Sequence, residues 1–173
     1  MQRVDDEIVE ADKKTRFQVM TEGGAVWIRA NQGHSIATVQ EDALLTEITD
    51  PSEVPICLHG TYLEAWELIK RSHLDRMERT HIQMAVGLPG DPDVKSGIRQ
   101  SIEVLIYVDV AAGMAAGLRF FRSANNVVCC RGPIPPSCFA HVALREDGST
   151  LMQPSFQRTG SSKTSEPEPE RET

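Results

Sequence analysis

Four short stretches hold side chains whose types and spacing could do chemistry: WIRANQGHS at 27–35, HGT at 59–61, RTH at 79–81 and FFRSANNV at 120–127. In the first, Arg29 and His34 frame an amide-and-glycine turn, Asn31-Gln32-Gly33, that a plain hydrophobic strand does not need. In the second, a glycine after His59 at a strand end leaves the backbone open to a ligand, and Thr61 offers both a hydroxyl and a helix cap. Arginines on separate segments suit a phosphate, because the guanidinium fork matches its oxygens and stays charged. Each stretch also has a plainer reading. His59 fits a structural histidine, Arg79 and His81 fit the exposed face of a strand, and GLPGDP at 87–92 fits a turn-rich loop with no phosphate-binding glycine signature. The five histidines lack the paired spacing of a metal site, and no Ser-His-Asp or Cys-His pattern stands out. The residues alone carry the argument to an anion-binding domain and no further.

The elements that must position these side chains follow from local pattern. Residues 15–30 alternate in the β manner on either side of TEGG and predict a hairpin. EDALLTEITDPSEVP reads as a connector punctuated by prolines, and ICLHG as a short buried strand. TYLEAWELIKRSHL places Leu63, Trp66, Leu68 and Ile69 at helical spacing, with Thr61 positioned as the cap. RTHIQMAVG predicts a strand running into the loop LPGDPDVKSGIR, and IEVLIYVDV is the best central strand in the chain. AAGMAAGLRFFRSANNVVCC predicts a small-residue helix or turn, then a hairpin around residues 123–126. This order gives an α+β domain.

The totals of the 173-residue chain set the outer bounds. Hydrophobic residues at 40% suffice for a core, and no apolar run approaches the roughly 20 residues of a membrane span. The start, MQRVDDEIVEADKK, has no apolar segment of the kind a secretory signal needs, so an intracellular protein is expected. Cys57, Cys129, Cys130 and Cys138 form no CxxC pair and read as buried, reduced thiols. The net charge of −7 is concentrated at the ends: residues 1–12 carry −4 and residues 163–173 carry −2, which leaves −1 for the middle. A broad electrostatic footprint is therefore not expected, whereas a local basic pocket that binds nucleic acid through a few placed groups is compatible with this charge.

Taken in order, IRANQGHS, LHGTY, RTHIQMAVGLPGDPDVKSGIR, IYVDV and FFRSANNVV resemble the RNA (tRNA) 2′-phosphotransferase family, with a match from about Arg16 to Leu144 that includes GPIPPSCFAHVALR. The resemblance implies NAD-dependent removal of a splice-junction 2′-phosphate from tRNA. In that reaction the RNA phosphate attacks the nicotinamide ribose and expels nicotinamide. The ribose 2″-hydroxyl then attacks phosphorus, releasing 2′-hydroxyl RNA and ADP-ribose 1″,2″-cyclic phosphate. It implies Arg29 and Arg79 as catalytic residues, with Arg29, Gln32, His34 and Ser35 on the RNA phosphate. It places His59, Gly60, Thr61, His81, Ser96, Gly97, Arg99, Ser123 and Asn125 around NAD, and it implies no metal and a monomer. The implied fold is an ADP-ribosyltransferase-like domain over residues 51–150. A β-hairpin wing within residues 1–50 would be the remnant of a winged-helix lobe, and residues 151–173 a disordered tail.

Two departures qualify that expectation. HIQM stands where the family has an HIHL-type segment, so Gln83 replaces a histidine. The family's LRHG motif, whose arginine and histidine complete an Arg-His-Arg-Arg set, has no counterpart before Arg16. The chain is therefore expected to be truncated and weakly active, with Phe17, Val19 and Val26 short of packing partners. The alternatives are an impaired module that binds NAD or phosphorylated RNA, and an ADP-ribosyltransferase acting on a nucleic-acid phosphate.

Overall fold

Alternation of side chains across extended segments organises the protein around antiparallel sheets. The computed structural model describes residues 2–3, 15–31, 45–92, 94, 97–99 and 101–153. Eleven strands are seen among them. Gln2–Arg3 (β1), Phe17–Glu22 (β2) and Ala25–Ala30 (β3) form a three-stranded sheet in the order β1-β3-β2. Thr46–Ile48 (β4), Ile82–Met84 (β6), Phe120–Arg122 (β8) and Val128–Cys130 (β9) form a second sheet, ordered β4-β8-β9-β6. Leu58–Thr61 (β5), Val104–Val108 (β7), Phe139–Leu144 (β10) and Thr150–Met152 (β11) form a third, ordered β11-β10-β7-β5. Two short helices, Leu63–Ile69 (α1) and Val110–Ala115 (α2), complete a mixed α+β architecture that is mostly sheet.

The two four-stranded sheets share one core. Val104, Ile106 and Val108 on one face of β7 pack with Ile82, Met84, Phe120, Val128 and Cys130 of the other sheet, and with Trp66 of α1. The opposite face of β7 sends Leu105 into a smaller cluster with Leu58 and Ile102. A strand buried on both faces reads as an unbroken apolar run, which is what VLIYV is. The sheets are stitched together where β5 leaves β6: Leu58 and Ala85 exchange both backbone hydrogen bonds, each at 2.8 Å.

Several expectations change in detail. The connector contains β4, which pairs with β8 through Ile48↔Phe120. Thr61 does not cap α1, because β5 extends through it. Tyr62 is the N-cap residue without a side-chain cap bond, and Glu103 Oε2 accepts from the Leu63 N–H at 3.0 Å instead. Arg79 and His81 precede β6 in a turn and are not strand residues. The hairpin, the central β7 and the β8–β9 turn match the local pattern. All four cysteines are free and buried. No helix among the described residues is long and apolar enough to cross a membrane. Residues 154–173 lie outside the described residues.

Phe120 is fully buried between the two sheets, with its ring under Gly113 of α2. Phe120→Ala is expected to cost about 3–5 kcal/mol of stability, measured by urea unfolding.

Candidate functional site

A cavity of about 890 Å³ opens at the seam where β5 and β6 part. Four separate segments supply its wall. β5 and its end give His59, Gly60, Thr61 and Tyr62, and the turn before β6 gives residues 75–79 with His81. The loop after β6 gives Gly97, Ile98 and Arg99, and the hairpin gives Arg16, Phe17 and Ala30. His59, Gly60, Thr61, Arg79, His81, Gly97 and Arg99, far apart in the sequence, are thus brought to one place.

His59 is held across the seam. Its Nδ1 lies 3.0 Å from the Gln83 carbonyl oxygen, which can only accept, so Nδ1 carries the proton. Burial depresses the imidazole's affinity for a second proton, partly countered by that same hydrogen bond. The neutral ring therefore leaves Nε2 as an acceptor on a side chain that lines the cavity. His81 is buried, and its ring meets the edge of Phe121 at 6.2 Å. Hydrogen bonds from Ser101 and then Arg99 hold the Tyr62 phenol below its ordinary range, the first over 2.9 Å.

Two of the wall's arginines, Arg76 and Arg79, are tethered to neutral acceptors. Arg79 donates from a terminal nitrogen to Gln83 Oε1 at 3.0 Å, and Arg76 donates to the Arg79 carbonyl at 2.7 Å. Elsewhere on the surface, basic side chains are matched with carboxylates, as in Arg119 with Glu47 and Lys70 with Glu67. Arginines steadied by neutral groups keep their full charge for an anion.

Other expected residues fall elsewhere. Arg29 does not line the cavity: it pairs across the hairpin with Gln18 and donates to Gln18 Oε1 through Nε at 3.0 Å and through a terminal nitrogen. Its neighbour Ala30 faces the cavity, and successive strand residues point to opposite sides. Ser123 and Asn125 are buried but not in the lining. Ser123 Oγ donates to Asn125 Oδ1 at 2.7 Å and accepts from the Val127 N–H at 3.0 Å, closing the β8–β9 turn. Gln32, His34, Ser35 and Ser96 lie outside the described residues. Gly60 has a packing reason as well as a ligand one, since a Cβ there would sit 2.7 Å from Ile102 Cδ1 and 2.8 Å from Ile98 Cγ1. Sequence reasoning missed Arg16, Tyr62, Asp75 and Arg76 in the wall. The signal for Arg76 was its spacing of three from Arg79 in a turn.

With this geometry in place, relatives become informative. A model of the RNA 2′-phosphotransferase, Tpt1 / KptA family matches residues 3–132. The chain belongs to that family. It is 42% identical over 135 residues to "tRNA 2′-phosphotransferase 1" of Danio rerio, covering 75% of this chain and 59% of the relative. It is 40% identical over 128 residues to the Mus musculus protein of the same name, covering 72% and 51%. A Schizosaccharomyces pombe protein provisionally given the tRNA 2′-phosphotransferase name is 40% identical over 168 residues, covering 93% and 45%. The chain spans about half the length of the curated relatives it matches.

The His59 environment has a measurable consequence. Its folded pKa lies below the ordinary histidine value, so the unfolded chain binds the extra proton more readily. Its contribution is complete above the unfolded value of about 6.5, falls as pH drops towards the lower folded value, and is flat below it. Imidazole NMR should place the His59 titration below the ordinary histidine value of about 6.5, and His59→Gln should remove that part of the acid slope in stability.

Proposed function

We propose that this chain is an NAD-dependent RNA 2′-phosphotransferase. It converts RNA bearing a splice-junction 2′-phosphate, with NAD⁺, into 2′-hydroxyl RNA, nicotinamide and ADP-ribose 1″,2″-cyclic phosphate. The observation that carries this reading is the single cavity lined by His59, Gly60, Thr61, Arg79, His81, Gly97 and Arg99. Family membership supplies the reaction class. We assign β5 to β10 with α1 and α2 to an ADP-ribosyltransferase-like domain over residues 51–150, flanked by β4 and β11, and the hairpin to the wing of a winged-helix lobe within residues 1–50.

The wall suits a dinucleotide. Its volume lies within the roughly 300–1,000 Å³ usual for ligand sites, and it combines apolar Phe17, Ile82, Ile98 and Ile102 with arginines on several sides. When bound, NAD supplies a ribose whose bond to nicotinamide can break in favour of a phosphate oxygen. On this reading, His59 Nε2 and the Thr61 hydroxyl orient ribose hydroxyls, while Arg99, steadied by the Tyr62 phenol, faces the adenosine side. Ser96 belongs to the same side, and Ser123 and Asn125 support the pocket through the β8–β9 turn.

Arg79 meets the negative charge that gathers on phosphorus during transesterification. An arginine suits that task, because it stabilises charge without a proton to lose. Arg29, with Gln32, His34 and Ser35, is assigned to the RNA phosphate, a role that requires its guanidinium to leave Gln18 and turn toward the cavity. The present acceptor of Arg29 is a neutral amide, which a phosphate displaces because it offers an opposite charge and a bidentate fit to the guanidinium. Arg16, which reaches the wall, adds a further positive group on that side.

The test is incubation of the chain with NAD and a 2′-phosphorylated oligoribonucleotide, followed by product separation. Loss of the phosphate with release of the cyclic phosphate is expected, together with a drop in Arg79→Ala of about 10²–10³-fold in the final step and build-up of RNA carrying ADP-ribose. Stalled adduct from the parent chain would point to a transferase that stops at ADP-ribosylation. Binding of NAD without turnover would replace the enzyme reading with that of a binding module.

A further inference from the structure

We propose that Gln83 is a positioning residue for the transfer, acting through Arg79. The inference rests on the transferase reading for its kinetic consequence but on contacts within this chain for its geometry. Gln83 sits mid-way along β6, paired with Cys129 of β9, so its backbone is fixed by the sheet. From that one position it makes two contacts into the wall. Its carbonyl accepts from His59 Nδ1 at 3.0 Å, and its side-chain oxygen accepts from the Arg79 guanidinium at 3.0 Å.

The second contact is the consequential one. Arg79 is exposed and stands in the turn before β6, with its backbone tied to Arg76 by N–H to carbonyl at 3.1 Å. A long arginine on such a turn has many rotamers, and an acceptor on a rigid strand selects among them. The acceptor is also neutral. A carboxylate at the same place would cancel much of the guanidinium's charge before any phosphate arrived, whereas an amide oxygen orients the group and leaves the charge available. Gln83 therefore supplies direction without neutralisation.

Side-chain substitutions separate the two contacts, since all of them keep the carbonyl that holds His59. Gln83→Met has nearly the same length and no strong acceptor, and Gln83→Glu restores an oxygen in place. Three readouts decide the matter. Gln83→Met should lower kcat about tenfold, the effect of losing one hydrogen bond to a charged group, while KM for NAD changes little, and Gln83→Glu should keep the guanidinium in place without restoring kcat, because its carboxylate cancels the charge. In a double-mutant cycle, Gln83→Met should add little to Arg79→Ala, as expected when one residue acts through the other. Independently of turnover, nitrogen-15 relaxation at Arg79 Nε should show a restrained guanidinium in the parent that becomes mobile in Gln83→Met, with unchanged melting temperature as the folding control.

A guanidinium equally ordered in both proteins, or fully additive losses in the cycle, would overturn the proposal. Release of Arg79 in Gln83→Met in a chain that does not act on phosphorylated RNA would uphold the positioning and instead remove the transferase reading.

Discussion

The site depends on one short junction, the pair of backbone hydrogen bonds between Leu58 and Ala85 that joins two four-stranded sheets. On one side of it β5 carries His59 into the wall. On the other, β6 carries Gln83, whose carbonyl reaches back to that histidine. A cavity between strands that part is costly unless the backbone groups it uncovers find partners. Here the histidine takes up the Gln83 carbonyl and becomes fixed in tautomer and orientation by doing so. The same bond that satisfies the sheet edge prepares the side chain for a ligand.

Packing explains which parts were legible in the sequence. The hairpin of β2 and β3, the doubly buried β7 and the Ser123–Asn126 turn declare themselves through nearest-neighbour pattern, because alternation and turn chemistry are local. The strand β4 did not, since three residues within a polar, proline-marked stretch acquire strand character only by pairing with β8. Thr61 was misread as a cap for a related reason. Glu103, 40 positions away in sequence, caps the helix, and no local rule reaches that far.

The candidate site divides along the same line. HGT and RTH were legible because histidine, glycine and arginine at strand ends are unusual choices for packing alone, and the structure brings both stretches to one wall. Arg16 carried no comparable signal, because its presence there depends on how the hairpin sits beside the seam. Arg29 sits in the most suggestive stretch, yet one residue's difference in strand phase turns it away from the cavity and toward Gln18. Gly60 shows that one residue can answer two demands, since Ile98 and Ile102 occupy the space a side chain would need.

Charge completes the account. A chain of net charge −7 can still hold an anion where several of its cations are gathered at one point. Arg79 rests on an amide and Arg76 on a carbonyl, in a wall that also holds Asp75 and Glu78. Asp75, a carboxylate of the same turn, spends Oδ1 on the Met77 N–H at 2.6 Å and so shapes the turn. The Arg119–Glu47 pair lies on the outer surface, where screening makes its contribution small. Such a division gives a short-range attraction confined to the cavity, which suits a single phosphate and a dinucleotide better than a long polyanionic track. Selectivity among anions must then come from what the hairpin presents beside the cavity, and not from the field of the whole protein.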